Sequence, residues 1–275
     1  MERNPGILHA LKICGDGAAT ELDENLLASV IKSEELSWVH LDARNKKARI
    51  WLENEISYLD TLITGALLAE ETRPRMIEHE DGVLLILRGM NFNLDADPED
   101  MVSLRLWIDP YRIISVQRRP VKAIDDIAAM LSNGKGPKNS GDFLCLLTHL
   151  LFERMEPVLD DLEHRTDTLE EEIIESPEAE ERQLIIELRT EAIIYKRYLV
   201  PQRDAILTLR TSDISWLDKL HKRQLQETLD RVIRYIEDLD SLRERTQIIK
   251  DELVNMLSDR MNHNMYVLSV IAAIF

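Results

Sequence analysis

Cys145 and His149 stand four residues apart, with Asp142 and Glu153 close on either side. A helix places i and i+4 on one face, and zinc accepts thiolate, imidazole and carboxylate at such a spacing. The run around the pair is otherwise apolar, which suits two packed core residues equally well. His164 has Asp160 and Asp161 before it and Asp167 after it, and carries the same two readings. Lys135 lies between Gly134 and Gly136, but the full spacing of a phosphate-binding loop is absent and no strand leads into it. Residues 133–141 therefore read as a flexible connector. No nucleophile–base–acid set and no nucleotide fingerprint is present, so neither an enzyme nor a required cofactor is expected.

The richest charge pattern lies on the last stretch, Ser215 to Phe275, which contains no Gly and no Pro. Its apolar residues recur by threes and fours at Leu225, Leu229, Val232, Ile236, Leu239, Leu242, Ile249, Leu253 and Met256, with Thr246 filling one place. That is the seam of one long helix. Ser215 with Asp218 gives a start signal. Roughly opposite the seam run Glu237, Asp240, Glu244, Gln247 and Asp251, then Val254, Ser258, Met261, Met265, Leu268 and Ala272. In a lone helix such a face is simply solvated. Arg231, Arg234, Arg243, Arg245 and Arg260 are expected to pair with nearby acids, as i,i+4 pairs or between copies of the chain.

After Arg260 there is no further Asp, Glu, Lys or Arg, and Met265–Phe275 has one polar side chain, Ser269. Eleven apolar residues are about half of the roughly 20 that cross a bilayer. The run reads as the first half of a transmembrane helix, cut short; the alternative is a helix end buried in its own core.

These side chains need long helices to position them. Strand candidates are Ile7–Ile13, Leu36–Leu41, Arg75–Glu80, Val83–Phe92, Met101–Ile108 and Arg112–Gln117, separated by turn signals such as Asp81-Gly82. Helices are expected over Glu21–Lys32, after a cap at Asp42, over Tyr58–Ala69 and over Val121–Leu131. Phe143–Glu175 reads as a helix bent at Pro157, and Ser176-Pro177-Glu178 starts the next, which carries Pro201. The fold class is α+β: a mixed, largely antiparallel sheet with flanking helices, a long α-helical hairpin and a very long C-terminal stalk helix. The segments are a head at 1–141, two long helices at 142–211, the stalk at 212–264 and the apolar run at 265–275.

The formal charge is −17, from 34 Lys and Arg against 51 Asp and Glu. Such a chain is unsuited to nucleic acid and attracts cations. Two cysteines form no disulfide framework, and the N-terminus lacks a signal-peptide plan, so a cytoplasmic domain is expected.

Glu71-Thr-Arg-Pro-Arg75, Tyr198-Leu-Val-Pro-Gln-Arg-Asp204 and the run Met265–Phe275 together resemble the CorA superfamily of divalent-cation transporters, and within it the zinc-transporting branch. The resemblance covers nearly the whole chain. It implies a homopentamer at the bacterial inner membrane, with zinc as cargo and membrane segments beyond Phe275. Five stalk helices would surround an ion path lined by Asp240, Glu244, Asp251, Ser258, Met261, Met265, Leu268 and Ala272. Rings of carboxylates attract cations, and Met and Leu rings form an apolar gate. If the symmetry gathers Arg231, Arg234, Arg243 or Arg245, a chloride could bridge them. The alternatives are a magnesium, cobalt or nickel channel of the same superfamily, or a soluble coiled-coil scaffold.

Overall fold

The computed structural model describes residues 6–56, 59–175 and 180–275. The chain forms two compact units. The first takes Met1–Met155 and Tyr198–Ile233, the second Glu156–Arg197 and Arg234–Phe275.

The first unit is built on seven strands: β1 (Ile7–Ile13), β2 (Ala19–Glu21), β3 (Ser37–Asp42), β4 (Arg75–His79), β5 (Gly82–Gly89), β6 (Val102–Ile108) and β7 (Arg112–Gln117). They lie in the order β2-β1-β3-β7-β6-β5-β4. Every neighbouring pair is antiparallel except β3 with β7. That one parallel pair joins two antiparallel halves, so the expected mixed, largely antiparallel sheet is what forms. Gly82 is required at the β4–β5 turn, because a Cβ there would meet the Trp107 ring at 2.3 Å.

The register shows why both faces are covered. Ala10, Val39, Ile114, Trp107 and Leu84 are successive partners across five strands and belong to one apolar cluster. That cluster includes residues of α1 (Glu24–Val30), α2 (Lys46–Glu55) and α3 (Thr61–Leu68). Side chains alternate along a strand, so Trp38 and His40 face the other way. There Trp38 meets Phe143 edge-on, ring centres 5.0 Å apart. Phe143 belongs to α5 (Ser140–Glu153), which follows α4 (Lys122–Ser132).

Several boundaries differ from the sequence expectation. Glu21 is the end of β2, and α1 starts later, capped by Asp23, which accepts from Leu26 N at 2.8 Å. Asp42 does not cap α2; Asn45 does, and the Asp42 carboxylate binds Arg44 instead. Pro157 bends nothing. The helix stops at Glu153, and α6 (Glu156–Glu175) begins with Pro157 in its first turn, where a missing N–H costs no bond. The start signal at Ser176-Pro177-Glu178, like Tyr58, lies outside the described residues. Pro201 sits inside α7 (Glu181–Thr211) without ending it. The stalk is α8 (Lys219–Ile274), 56 residues without interruption. Its cap is Asp218 rather than Ser215, with Leu220 N and His221 N donating to Oδ1 at 2.8 and 2.9 Å.

The second unit is three helical segments packed along their seams. Leu159, Leu162, Thr166, Leu169 and Ile173 of α6 are buried, as are Ile185, Leu188, Ala192 and Tyr195 of α7. On α8 the buried set is Tyr235, Ile236, Leu239, Leu242, Thr246, Ile249 and Leu253, with Met256 half-buried. Along each helix the steps are mostly threes and fours, the spacing of interlocking helices. Each buried Leu or Ile contributes roughly 1.5–3 kcal/mol relative to exposure.

Candidate functional site

On the part of α8 in the second unit, the buried seam leaves the opposite face in solvent. Glu237, Glu244, Asp251, Val254 and Ser258 are exposed. Met261, Met265 and Leu268 are 59%, 60% and 66% exposed, and Ala272 is exposed too. The face changes from carboxylate to thioether and alkyl along the helix. The apolar run is exposed all round from Met265 to Phe275, so it is not buried in a core of its own chain. Among the described residues, no helix is long and apolar enough to cross a membrane.

The carboxylates on this face are not equivalent. Asp240 is taken up by Lys196 of α7 at 2.5 Å and by Arg243 at 3.5 Å. Among the described residues, Asp251 accepts only from the neutral amide of Gln247, at 2.9 and 3.0 Å. Ser258 Oγ donates to Val254 O at 2.8 Å and is thereby satisfied within its own helix.

The arginines are held mostly across helices rather than by i,i+4 pairs. Arg245 reaches Asp167 at 2.7 Å and Glu170 at 2.5 Å, both on α6. Those two carboxylates hold the guanidinium pKa above its ordinary value. Arg234 lies 3.9 Å from Glu156 and over the Tyr235 ring, and Arg243 pairs with Asp240. Arg231, in the first unit, has an imidazole neighbour instead, with Nη1 3.5 Å from His149 Nδ1.

The metal-ligand candidates are not brought together as a centre. Cys145 is buried, its thiol donating to His221 O at 3.5 Å. Burial, followed by the nearby Asp142 and Asp218 charges, pushes its pKa up to about 12, so no thiolate is on offer at neutral pH. His149 is half exposed and lies 3.6 Å from Glu153. Asp142 is occupied elsewhere, by His221 Nε2 at 3.0 Å and by Lys138 N at 3.1 Å. His164 is exposed, while Asp161 and Asp167 beside it pair with Arg165 and Arg245. Among the described residues, no group of three or more His, Cys, Asp and Glu side chains is placed to hold a metal ion.

Two buried polar centres escape a sequence reading. His40 is fully buried, 2.7 Å from Ser115 Oγ, which also accepts from Trp38 Nε1. Arg105 is buried on β6 and donates to the carbonyls of Ala69 and Glu70. Arg88 donates to the carbonyl of Thr72. The loop carrying Glu71-Thr-Arg-Pro-Arg75 thus begins by holding two sheet arginines through its backbone.

Residues 33–275 match the family described as CorA-like Mg2+ transporter protein. The chain belongs to this family. It is 33% identical to "Zinc transport protein ZntB" of Pectobacterium carotovorum over 99% of its own length and 82% of that protein. Its fold superposes on the full-length CmaX protein with TM-score 0.90 and 32% identity, covering 98% of this chain and 83% of the other. It also superposes on the ZntB cytoplasmic domain of Vibrio parahaemolyticus, TM-score 0.81 and 24% identity, covering 92% and 99%. The likeness to the Vibrio domain shows a shared fold over nearly the whole of that domain. Family membership sets aside the soluble coiled-coil scaffold.

Proposed function

We propose that this chain is the cytoplasmic domain of an inner-membrane zinc transporter. In this reading it assembles as a homopentamer, with the exposed face of α8 surrounding a central ion path. The observation that carries the reading is the two-sidedness of α8. One face is consumed in packing within the chain, and the other stays open while changing from acid to apolar. Zinc as cargo is supported by the similarity to ZntB.

Five copies would turn Glu244 and Asp251 into rings of five carboxylates each. Like charges so arranged disfavour full ionisation, and a divalent cation relieves the repulsion. Further along, Met261, Met265, Leu268 and Ala272 would form apolar rings. These gate by size and dewetting rather than by charge. The relatives that this chain matches are longer than it, and the remaining membrane passage would be supplied by segments following Phe275.

Two measurements test the reading. Sedimentation velocity of the chain at high concentration is expected to give a particle of about five times 31.9 kDa. A stable dimer under all conditions would overturn the pentamer. Dye-reported uptake into proteoliposomes by the membrane-anchored protein is expected to be faster for zinc than for magnesium. The opposite preference would favour the second reading, a magnesium channel, which the family's description supports.

A further inference from the structure

In the first unit a cavity of about 450 Å³ opens between the end of α4, the first turns of α5 and the start of α8. That volume lies in the range of small-molecule sites. Three cations line it, Lys135, Lys138 and Arg231. None of the three charged side-chain groups has a carboxylate partner among the described residues, and Arg231 Nη1 lies 3.5 Å from His149 Nδ1. Acids outnumber bases in a chain of charge −17, yet this wall carries three cations against two carboxylates, Asp142 and Glu227.

The loop that presents the two lysines is fixed. Lys135 N donates to Met130 O at 2.9 Å, and Gly136 N to Gly17 O at 2.8 Å. A Cβ on Gly136 would meet Leu131 at 2.4 Å, and Gly17 holds φ at +100°. The connector read from sequence as flexible is thus anchored to both α4 and the β1–β2 turn. Of the two carboxylates on the wall, Asp142 is engaged by His221, Asn139 and Lys138 N. Glu227 remains. Met130, Pro137 and Leu146 give the wall an apolar part.

We propose that this cavity binds a small organic phosphate. Lys135, Lys138 and Arg231 would hold the phosphate oxygens, and the apolar wall would hold the body of the molecule. Arg supplies forked donors to phosphate, and lysines act as point charges. The proposal does not depend on the transport reading.

The test is calorimetry on the intact chain, with a chelator present and no divalent metal, using ADP, AMP and inorganic phosphate. ADP and AMP are expected to bind with Kd below about 1 mM, and inorganic phosphate more weakly because it leaves the apolar wall bare. Arg231→Gln and the exposed double change Lys135→Gln with Lys138→Gln are each expected to weaken ADP binding by about tenfold or more. Circular dichroism would establish that each variant folds. Glu227→Gln is expected to tighten binding, because it removes the remaining lining acid. No heat with either nucleotide, or ADP affinity unmoved by all the cation substitutions, would overturn the proposal.

Discussion

Lys196 Nζ on α7 lies 2.5 and 2.6 Å from the two carboxylate oxygens of Asp240 on α8. The pair matches the charge of a carboxylate that the sequence reading assigns to the ion-path face, and Arg243 adds a second cation at 3.5 Å. Charge already matched within the chain is a weaker attraction for a passing cation than an unmatched acid.

Asp240→Asn should therefore act on stability more than on transport. Both side chains are about a third exposed, so solvent screens the pair and its loss should cost only ~0.5–1 kcal/mol in urea unfolding. Glu244 is exposed, so Glu244→Gln should change stability by less than ~0.5 kcal/mol but lower zinc uptake by the membrane-anchored protein. A larger loss of uptake from Asp240→Asn than from Glu244→Gln would reverse this ranking.

His40 sets an acid limit on the first unit. Burial holds its pKa at about 3, against an ordinary 6.5. Above pH 6.5 both folded and unfolded chains carry it neutral, and it adds no pH dependence. Below pH 6.5 the unfolded chain takes up a proton that the folded chain refuses. Stability should then fall by up to ~1.4 kcal/mol per pH unit, down towards pH 3. Unfolding free energies at pH 7.0 and 5.5 should differ by ~1 kcal/mol from this residue alone. His40→Asn should remove that difference even if it lowers stability at both pH values. An unchanged difference would place the acid sensitivity elsewhere.

The cysteines should separate cleanly under a thiol reagent at pH 8. Cys14 is exposed and should react at once, whereas Cys145 should react only after unfolding. Calorimetry with zinc on this domain should show weak sites, and Cys145→Ala should lower stability by ~1–2 kcal/mol with little effect on those heats. Tight zinc binding abolished by His149→Ala would contradict this placement of the pair.

Much of the architecture was legible because it depends on local periodicity. The α8 seam was readable position by position, since a helix repeats its face every three or four residues. The six longer strands were readable from apolar runs between turns. What failed was decided by neighbours distant in sequence. β2 has three residues and exists because β1 pairs with it. Asp42 lost the capping role to Asn45 because Arg44 claims its carboxylate. The partners of Arg245 sit on α6, 75 and 78 residues away, which no i,i+4 rule can anticipate. The 133–141 loop read as a flexible connector because it lacks a phosphate-loop spacing, while its anchor at Gly17 and the α8 residues beside it lie far along the chain.

The central claim is that the open face of α8 guides the ion, and Asp251 tests it most directly. Its carboxylate is exposed and accepts from the neutral Gln247 amide, so changing it should spare the fold. Attraction by a ring of acids is long-ranged and weakens as salt shortens the Debye length, about 8 Å near physiological ionic strength. Zinc uptake into proteoliposomes should be measured for the membrane-anchored protein and for Asp251→Lys at low and high ionic strength. The account predicts that Asp251→Lys slows uptake several-fold at low salt and much less at high salt. Uptake equal to that of the unmodified protein at both ionic strengths, with expression and assembly intact, would contradict it.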